Sequence, residues 1–136
     1  MAFADLQSGV IFEYASQPAE IVLAGTVVAG DAVGFSDGWK RALATAGGVI
    51  QMRCVAGQSG VSGQKITAYF GVCIVEGSRF TGATHRGALY VAESTDNGKF
   101  TQTAPSTATD ATTIVGVAIS ATKMCLAPNI EVDSVA

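Results

Sequence analysis

Gly87-Ala88-Leu89-Tyr90-Val91-Ala92 runs through Glu93-Ser94-Thr95-Asp96 to Asn97-Gly98, and Lys99-Phe100-Thr101-Gln102-Thr103 follows. Short runs of β-branched and aromatic residues on either side of an Asn-Gly pair describe two antiparallel strands, Ala88 to Ala92 and Lys99 to Thr103. Glycine reaches the positive φ of a tight hairpin without steric cost, and asparagine tolerates it. The same signature stands upstream, where Gly30-Asp31-Ala32-Val33 precedes Asp37-Gly38 as Gly87-Ala88-Leu89-Tyr90 precedes Asn97-Gly98. A second echo relates Phe70-Gly71-Val72-Cys73-Ile74 to Val115-Gly116-Val117-Ala118-Ile119. Each half then reads as a hairpin followed by a buried, glycine-bearing strand. The expected fold is all-β, a small β-barrel or sandwich of two similar hairpin-plus-strand units with extended terminal segments. Chance similarity among short apolar strands is the alternative.

Outward from that hairpin, the other expected strands are Ile21 to Leu23, Ala32 to Phe35, Lys40 to Leu43, Val49 to Val55, Lys65 to Val75, Thr113 to Ser120 and Lys123 to Leu126. Ala56 to Gln64 reads as a flexible Gly/Ser connector, and Ala104 to Thr112 as a second exposed loop with Pro105 near its start. Three parts follow: an N-terminal arm over 1–18, a β domain over 19–128 and a C-terminal tail over 129–136. In the tail, Ile130 and Val132 alternate with Glu131 and Asp133, a pattern suited to adding a strand to a neighbour's sheet edge. Phe3 and Phe12 in the arm, Ile130 and Val132 in the tail, and the lone Trp39 beside the first turn are the expected interface residues.

The composition limits what such a domain does. The chain has 136 residues, enough for one domain that buries roughly two-thirds of its unfolded surface. Only 14% of residues are charged, against about 25% in an ordinary globular protein, while 49% are hydrophobic. A weakly charged exterior favours contact with other protein surfaces, because few ionic groups must be desolvated on docking. The net charge is −3, and the eight basic residues are scattered along the chain, so nucleic acid is not an expected partner. Met1 to Leu6 has neither a basic nor an apolar leader pattern, and Ile21 to Ala29 is too short to span a bilayer, so neither export nor a membrane is expected. Cys54, Cys73 and Cys125 are odd in number and without metal-type spacing, which fits synthesis in a reducing cytoplasm.

A search for chemistry yields little. His85 is the only histidine and lies in the polar turn Gly82-Ala83-Thr84-His85-Arg86-Gly87, so it reads as a solvated loop residue and not as a general base. A zinc site from Cys54, Cys73, Cys125 and His85 would need distant positions to converge. Gly57 to Thr67 suggests a phosphate loop, but Lys65 precedes Ile66 where the Walker pattern requires Ser or Thr, and a strand follows where a helix is needed. Glu93 with Asp96 and Asp31 with Asp37 are carboxylate pairs beside turns, where such residues ordinarily cap backbone. Trp39, Tyr69 and Tyr90 are the aromatics available for stacking on a sugar. No enzyme, cofactor or metal is expected.

Taken in order, Val28-Ala29-Gly30-Asp31-Ala32-Val33-Gly34-Phe35, Arg86-Gly87-Ala88-Leu89-Tyr90-Val91, Asn97-Gly98-Lys99-Phe100-Thr101 and Ile114-Val115-Gly116-Val117-Ala118 resemble the capsid cement, or head-decoration, proteins of tailed bacteriophages. The resemblance covers Val27 to Pro128. It implies a compact β domain on the outer surface of the virion head, synthesised in the host cytoplasm. It also implies a homo-oligomer, commonly a trimer, that binds the major capsid protein and reinforces the expanded lattice. The family has no catalytic residues to carry over. A tail component and a carbohydrate-binding β module are the alternative readings.

Overall fold

The computed structural model describes residues 10–45, 47–92, 98–106 and 110–128. Among these residues eleven short strands form: β1 (Ile11–Tyr14), β2 (Pro18–Val22), β3 (Ala32–Phe35), β4 (Trp39–Arg41), β5 (Cys54–Ala56), β6 (Lys65–Tyr69), β7 (Cys73–Glu76), β8 (Ala88–Val91), β9 (Phe100–Thr101), β10 (Ile114–Ala118) and β11 (Lys123–Leu126). A 3-10 turn, Ser78–Phe80, follows β7. The strands make two antiparallel sheets stacked as a sandwich, not a closed barrel. Their orders are β2-β6-β5-β3-β4 and β1-β7-β11-β10-β8-β9.

Adding five to each strand number of the first order gives β7-β11-β10-β8-β9, so the chain lays down the same topology twice and β1 is the one strand without a counterpart. The two-unit reading therefore holds, and so does its first echo: Gly30–Val33 opens β3 and Gly87–Tyr90 opens β8, each the first strand of a hairpin. The second echo is out of register. Val115–Ile119 covers β10, whose counterpart is β5, whereas Phe70–Ile74 runs around a corner into β7.

That corner explains why Lys65 to Val75 reads as one strand. β1 and β2 pair with β7 and β6 as one antiparallel ribbon, from Ile11 opposite Glu76 to Val22 opposite Lys65. The ribbon passes from one sheet to the other where Phe70 and Gly71 donate to the Gln17 and Ser16 carbonyls at 3.0 and 3.2 Å, while Ser16 Oγ donates to the Val72 carbonyl at 2.9 Å. A Cβ on Gly71 would collide with the Ser16 side chain, so glycine is what lets the two bends lie against each other. Residues 11–14, assigned by sequence to an arm, thus extend the protein's own six-stranded sheet.

Two cores result. The larger lies between the sheets and unites Ala32, Met52 and Val55 with Val75, Phe80, Leu89, Phe100, Val115, Met124 and Leu126. The second, Ile21, Leu23, Val27, Val33, Cys54, Ala56, Ile66 and Ala68, occupies the other face of the five-stranded sheet. That sheet curls over it until Leu23, just beyond β2, forms a parallel bridge with Trp39 at the opposite edge, and Val27 bridges Gly60. The Gly57–Gln64 segment is correspondingly stapled: Thr67 N–H donates to Gln58 Oε1, Val61 N–H to Gln64 Oε1 and Ala29 N–H to Ser59 Oγ, at 2.8–3.0 Å. The second loop is also less exposed than expected, since Pro105, Asp110 and Ala111 are buried and Ala111 donates to the Ala44 carbonyl.

Candidate functional site

A buried ionic node fixes the first hairpin. Asp31, which opens β3, has no exposed surface. Its Oδ2 takes Arg41 Nε at 2.8 Å and Val28 N–H at 2.9 Å, and its Oδ1 takes Arg79 Nη2 at 2.7 Å. Arg41 belongs to β4 of the first unit, and Arg79 to the 3-10 turn of the second. Gly98, at φ +79°, lies against the pair so closely that a Cβ would sit 3.0 Å from Asp31 Cγ. Its carbonyl accepts from Ala32 N–H. A charge taken from water is tolerated only when paired and hydrogen-bonded, and here both units supply the partners. Asp31 is therefore a structural anion, and it is not paired with Asp37, which is exposed in the turn at φ +55°.

On that braced hairpin sits an aromatic ladder. Trp39, half-buried, stands edge-on to Phe35 at 5.2 Å and 80° and to Phe70 at 5.6 Å and 84°. Such T-shaped pairs place ring edges against ring faces, the favoured geometry for the aromatic quadrupole. Phe70 and Trp39 rest on the second core, while Phe35 remains 62% exposed. Gly38, at φ +122°, turns the chain between them against Ala24.

The other interface and stacking candidates scatter. Phe12 faces inward, pairing with Tyr69 at 5.2 Å against the main core, so neither ring is presented outward as a platform. Tyr90 lies on the other sheet, opposite Ile114 and Thr101. Phe3, Ile130 and Val132 lie outside the described residues, as do Glu93 and Asp96. His85 is exposed beside Arg86, whose φ is +72°. Among the described residues no three His, Cys, Asp or Glu converge on a metal-sized site, and no helix is long and apolar enough to cross a membrane. Cys54 and Cys73 are buried, and desolvation pushes their thiols up to about 12 and about 11.

A second surface escapes a strand-by-strand reading. Tyr14 opposes Ile74, Ile74 opposes Cys125, Cys125 opposes Val117 and Val117 opposes Ala88, so five apolar residues form one row across β1, β7, β11, β10 and β8. Their strand neighbours Val75, Met124, Ala118 and Leu89 fill the core, which turns the row outward by the two-residue period of a strand. The available signal was the unbroken apolar runs Val72–Val75 and Val115–Ile119, which describe a strand covered on both faces.

Compared with known proteins, the chain matches no family model, no curated protein and no solved structure.

Proposed function

We propose that this chain is a capsid cement protein that binds the outer surface of a phage head through the major capsid protein and stabilises the expanded lattice. The observation that carries the reading is the Phe35–Trp39–Phe70 ladder, an exposed aromatic anchor on a hairpin held rigid by a buried ionic node. Aromatic anchors supply a large share of interface energy, and a rigid one loses little entropy on docking. The motif order from Val28 to Ala118 and the 14% charged composition agree with it. A clip that binds the assembled shell and not free subunits stabilises it by mass action, and many copies multiply a modest contact. The implied oligomer is a trimer on the virion surface.

The test is to add purified protein to undecorated expanded heads. Co-sedimentation and a rise in the temperature of head disruption are expected. The Phe35→Ala/Trp39→Ala variant should bind at least about thirty-fold more weakly, as loss of a hot spot worth about 2 kcal/mol requires. Heads that neither retain the protein nor gain heat resistance would sink the reading. Imaging distinguishes a tail component, which would be absent from lattice positions. The same ladder favours one further reading, a carbohydrate platform, for which Trp39 fluorescence should change with a glycan and stay constant otherwise.

A further inference from the structure

The two hairpin turns that the repeated topology sets in equivalent places differ at one backbone atom. In the second, Gly98 follows Asn97, and this glycine is buried with its N–H donated to the Ala42 carbonyl at 2.8 Å. In the first, Asp37 is exposed at φ +55°, and its carboxylate holds no hydrogen bond or ion pair among the described residues. The N–H of Gly38, the next residue, has no acceptor among them either, since the turn is closed by Ser36 N–H donating to the Gly38 carbonyl at 2.9 Å. Asp37 is the only aspartate in the chain that precedes a glycine, and Asn97 the only asparagine. A peptide nitrogen reaches the side-chain carbon of the residue before it most readily when it belongs to glycine, which has no Cβ to crowd the approach, and when no hydrogen bond holds it elsewhere.

We propose that Asp37 is a modification site, converting spontaneously to isoaspartate through a cyclic imide closed by the Gly38 nitrogen. That nitrogen bonds to Asp37 Cγ, the C–OH bond of the protonated carboxyl breaks, and the N–H proton leaves with the hydroxyl as one water. Water then opens the ring. Addition at Cγ restores aspartate, whereas addition at the Asp37 main-chain carbonyl breaks its bond to Gly38 and leaves the peptide joined through Cγ. No oxidant or cofactor takes part, and the mass at the end is that of the starting chain.

The place of the site gives the reaction a consequence. Ser36, Asp37 and Gly38 are the whole connection between Phe35 and Trp39, which pair across β3 and β4 with their rings edge to face at 5.2 Å. The new linkage brings Cβ into the main chain of that short turn and hangs a carboxylate from Cα. Turn geometry fixes hairpin register, so the Phe35–Trp39 contact loosens and the exposed anchor ages on the hairpin that presents it. Asn97 behaves oppositely. A carboxamide cyclises faster than a carboxyl in an open chain, yet here the committed Gly98 nitrogen withholds the nucleophile. The modification stands whether or not heads are bound, because it needs only the chain and water.

The experiment holds the full chain at mildly acidic pH, folded and in urea. Isoaspartate is mapped by peptide fragmentation and by methyl transfer from S-adenosylmethionine with an isoaspartyl methyltransferase. In the folded chain Asp37 should convert within about ten-fold of its rate in urea, because an exposed turn needs no opening of the structure. Asn97 should be slowed at least about a hundred-fold, because its glycine amide is freed only when the structure opens. In urea the order reverses, and Asn97 leads. Asp37→Gly, which keeps the positive φ without steric cost, should abolish the signal at that site. Asp37→Asn should release ammonia from the folded chain and convert faster than the parent aspartate. The lone tryptophan, Trp39, reports the consequence: its emission should move to longer wavelength in step with conversion and stay constant in Asp37→Gly. Asp37 slowed on folding as much as Asn97, or an Asp37→Asn chain that stays intact while folded, overturns the proposal. Full conversion with no change in Trp39 emission overturns its effect on the anchor.

Discussion

One carboxylate, that of Asp31, joins the first hairpin to the second unit through Arg41 and Arg79. Asp31→Asn keeps the volume and removes the charge, leaving Arg79 buried without its counter-ion. The expected loss is ~3–5 kcal/mol, the cost of breaking a buried pair from one side, read from the urea midpoint at constant slope. Lys65→Ala is the control. Lys65 and Glu20 are both mostly exposed at 3.6 Å, and such a pair contributes under about 1 kcal/mol. The buried thiols make a second prediction at this scale. Cys54 and Cys73 titrate in the folded chain at about 12 and about 11, above an ordinary value of 9.0. Their raised values mean that the unfolded chain releases these protons first. The associated stability is complete below pH 9 and is lost as pH climbs towards 11–12, with a slope of up to about 1.4 kcal/mol per pH unit for each thiol. Cys54→Ala/Cys73→Ala should flatten that decline, and equal declines in both proteins would refute the assignment.

The ribbon from Ile11 to Val22 borders both sheets, and its outer edge, which pairs with no other strand among the described residues, is guarded. Pro18 has no N–H to offer, Glu20 is exposed, and a bulge between Phe12 and Tyr14 breaks the register around Glu13. These devices prevent uncontrolled edge pairing. Pro18→Val/Glu20→Val should therefore promote concentration-dependent aggregation by light scattering, with little change in far-ultraviolet signal at low concentration. The same elements mark the limit of what the sequence discloses. The hairpin openings at Gly30 and Gly87 were legible because their turn chemistry is local, and Trp39 stood out in the sequence because it is the only tryptophan. Phe35, its exposed companion, was not singled out, since within β3 it is one more apolar residue. β1 escaped notice because its bulge destroys the alternation that announces a strand. The corner at Gly71 was hidden because Ser16, distant in sequence, imposes it, and Val49 to Val55 shortens to β5 with a single Ile50–Leu43 bridge. The row Tyr14–Ile74–Cys125–Val117–Ala88 draws one residue from each of five strands, so only the pairing register brings it together.

Across the whole molecule, two copies of one topology are interlocked where they could have stood as separate domains. β1 precedes the first unit yet pairs with β7, the leading strand of the second, and the main core draws on Ala32 and Val55 from one and on Leu89, Val115 and Met124 from the other. The Asp31–Arg79 bond crosses the same boundary at 2.7 Å. Neither unit can open without exposing its partner's core and unpairing a buried charge, so partial unfolding costs nearly as much as complete unfolding. Calorimetry should show a single transition whose calorimetric and van't Hoff enthalpies agree. The expected heat-capacity increment is ~12–15 cal/mol/K per residue, the value for a chain that unfolds throughout. Two resolved transitions, or a van't Hoff enthalpy well above or below the measured one, would show that the units are independent or that they unfold as part of a larger assembly. Asp31→Asn extends the test. If the node is what couples the units, its loss should lower the transition and also broaden it towards two steps, whereas a purely local role would lower the midpoint and leave the enthalpies equal.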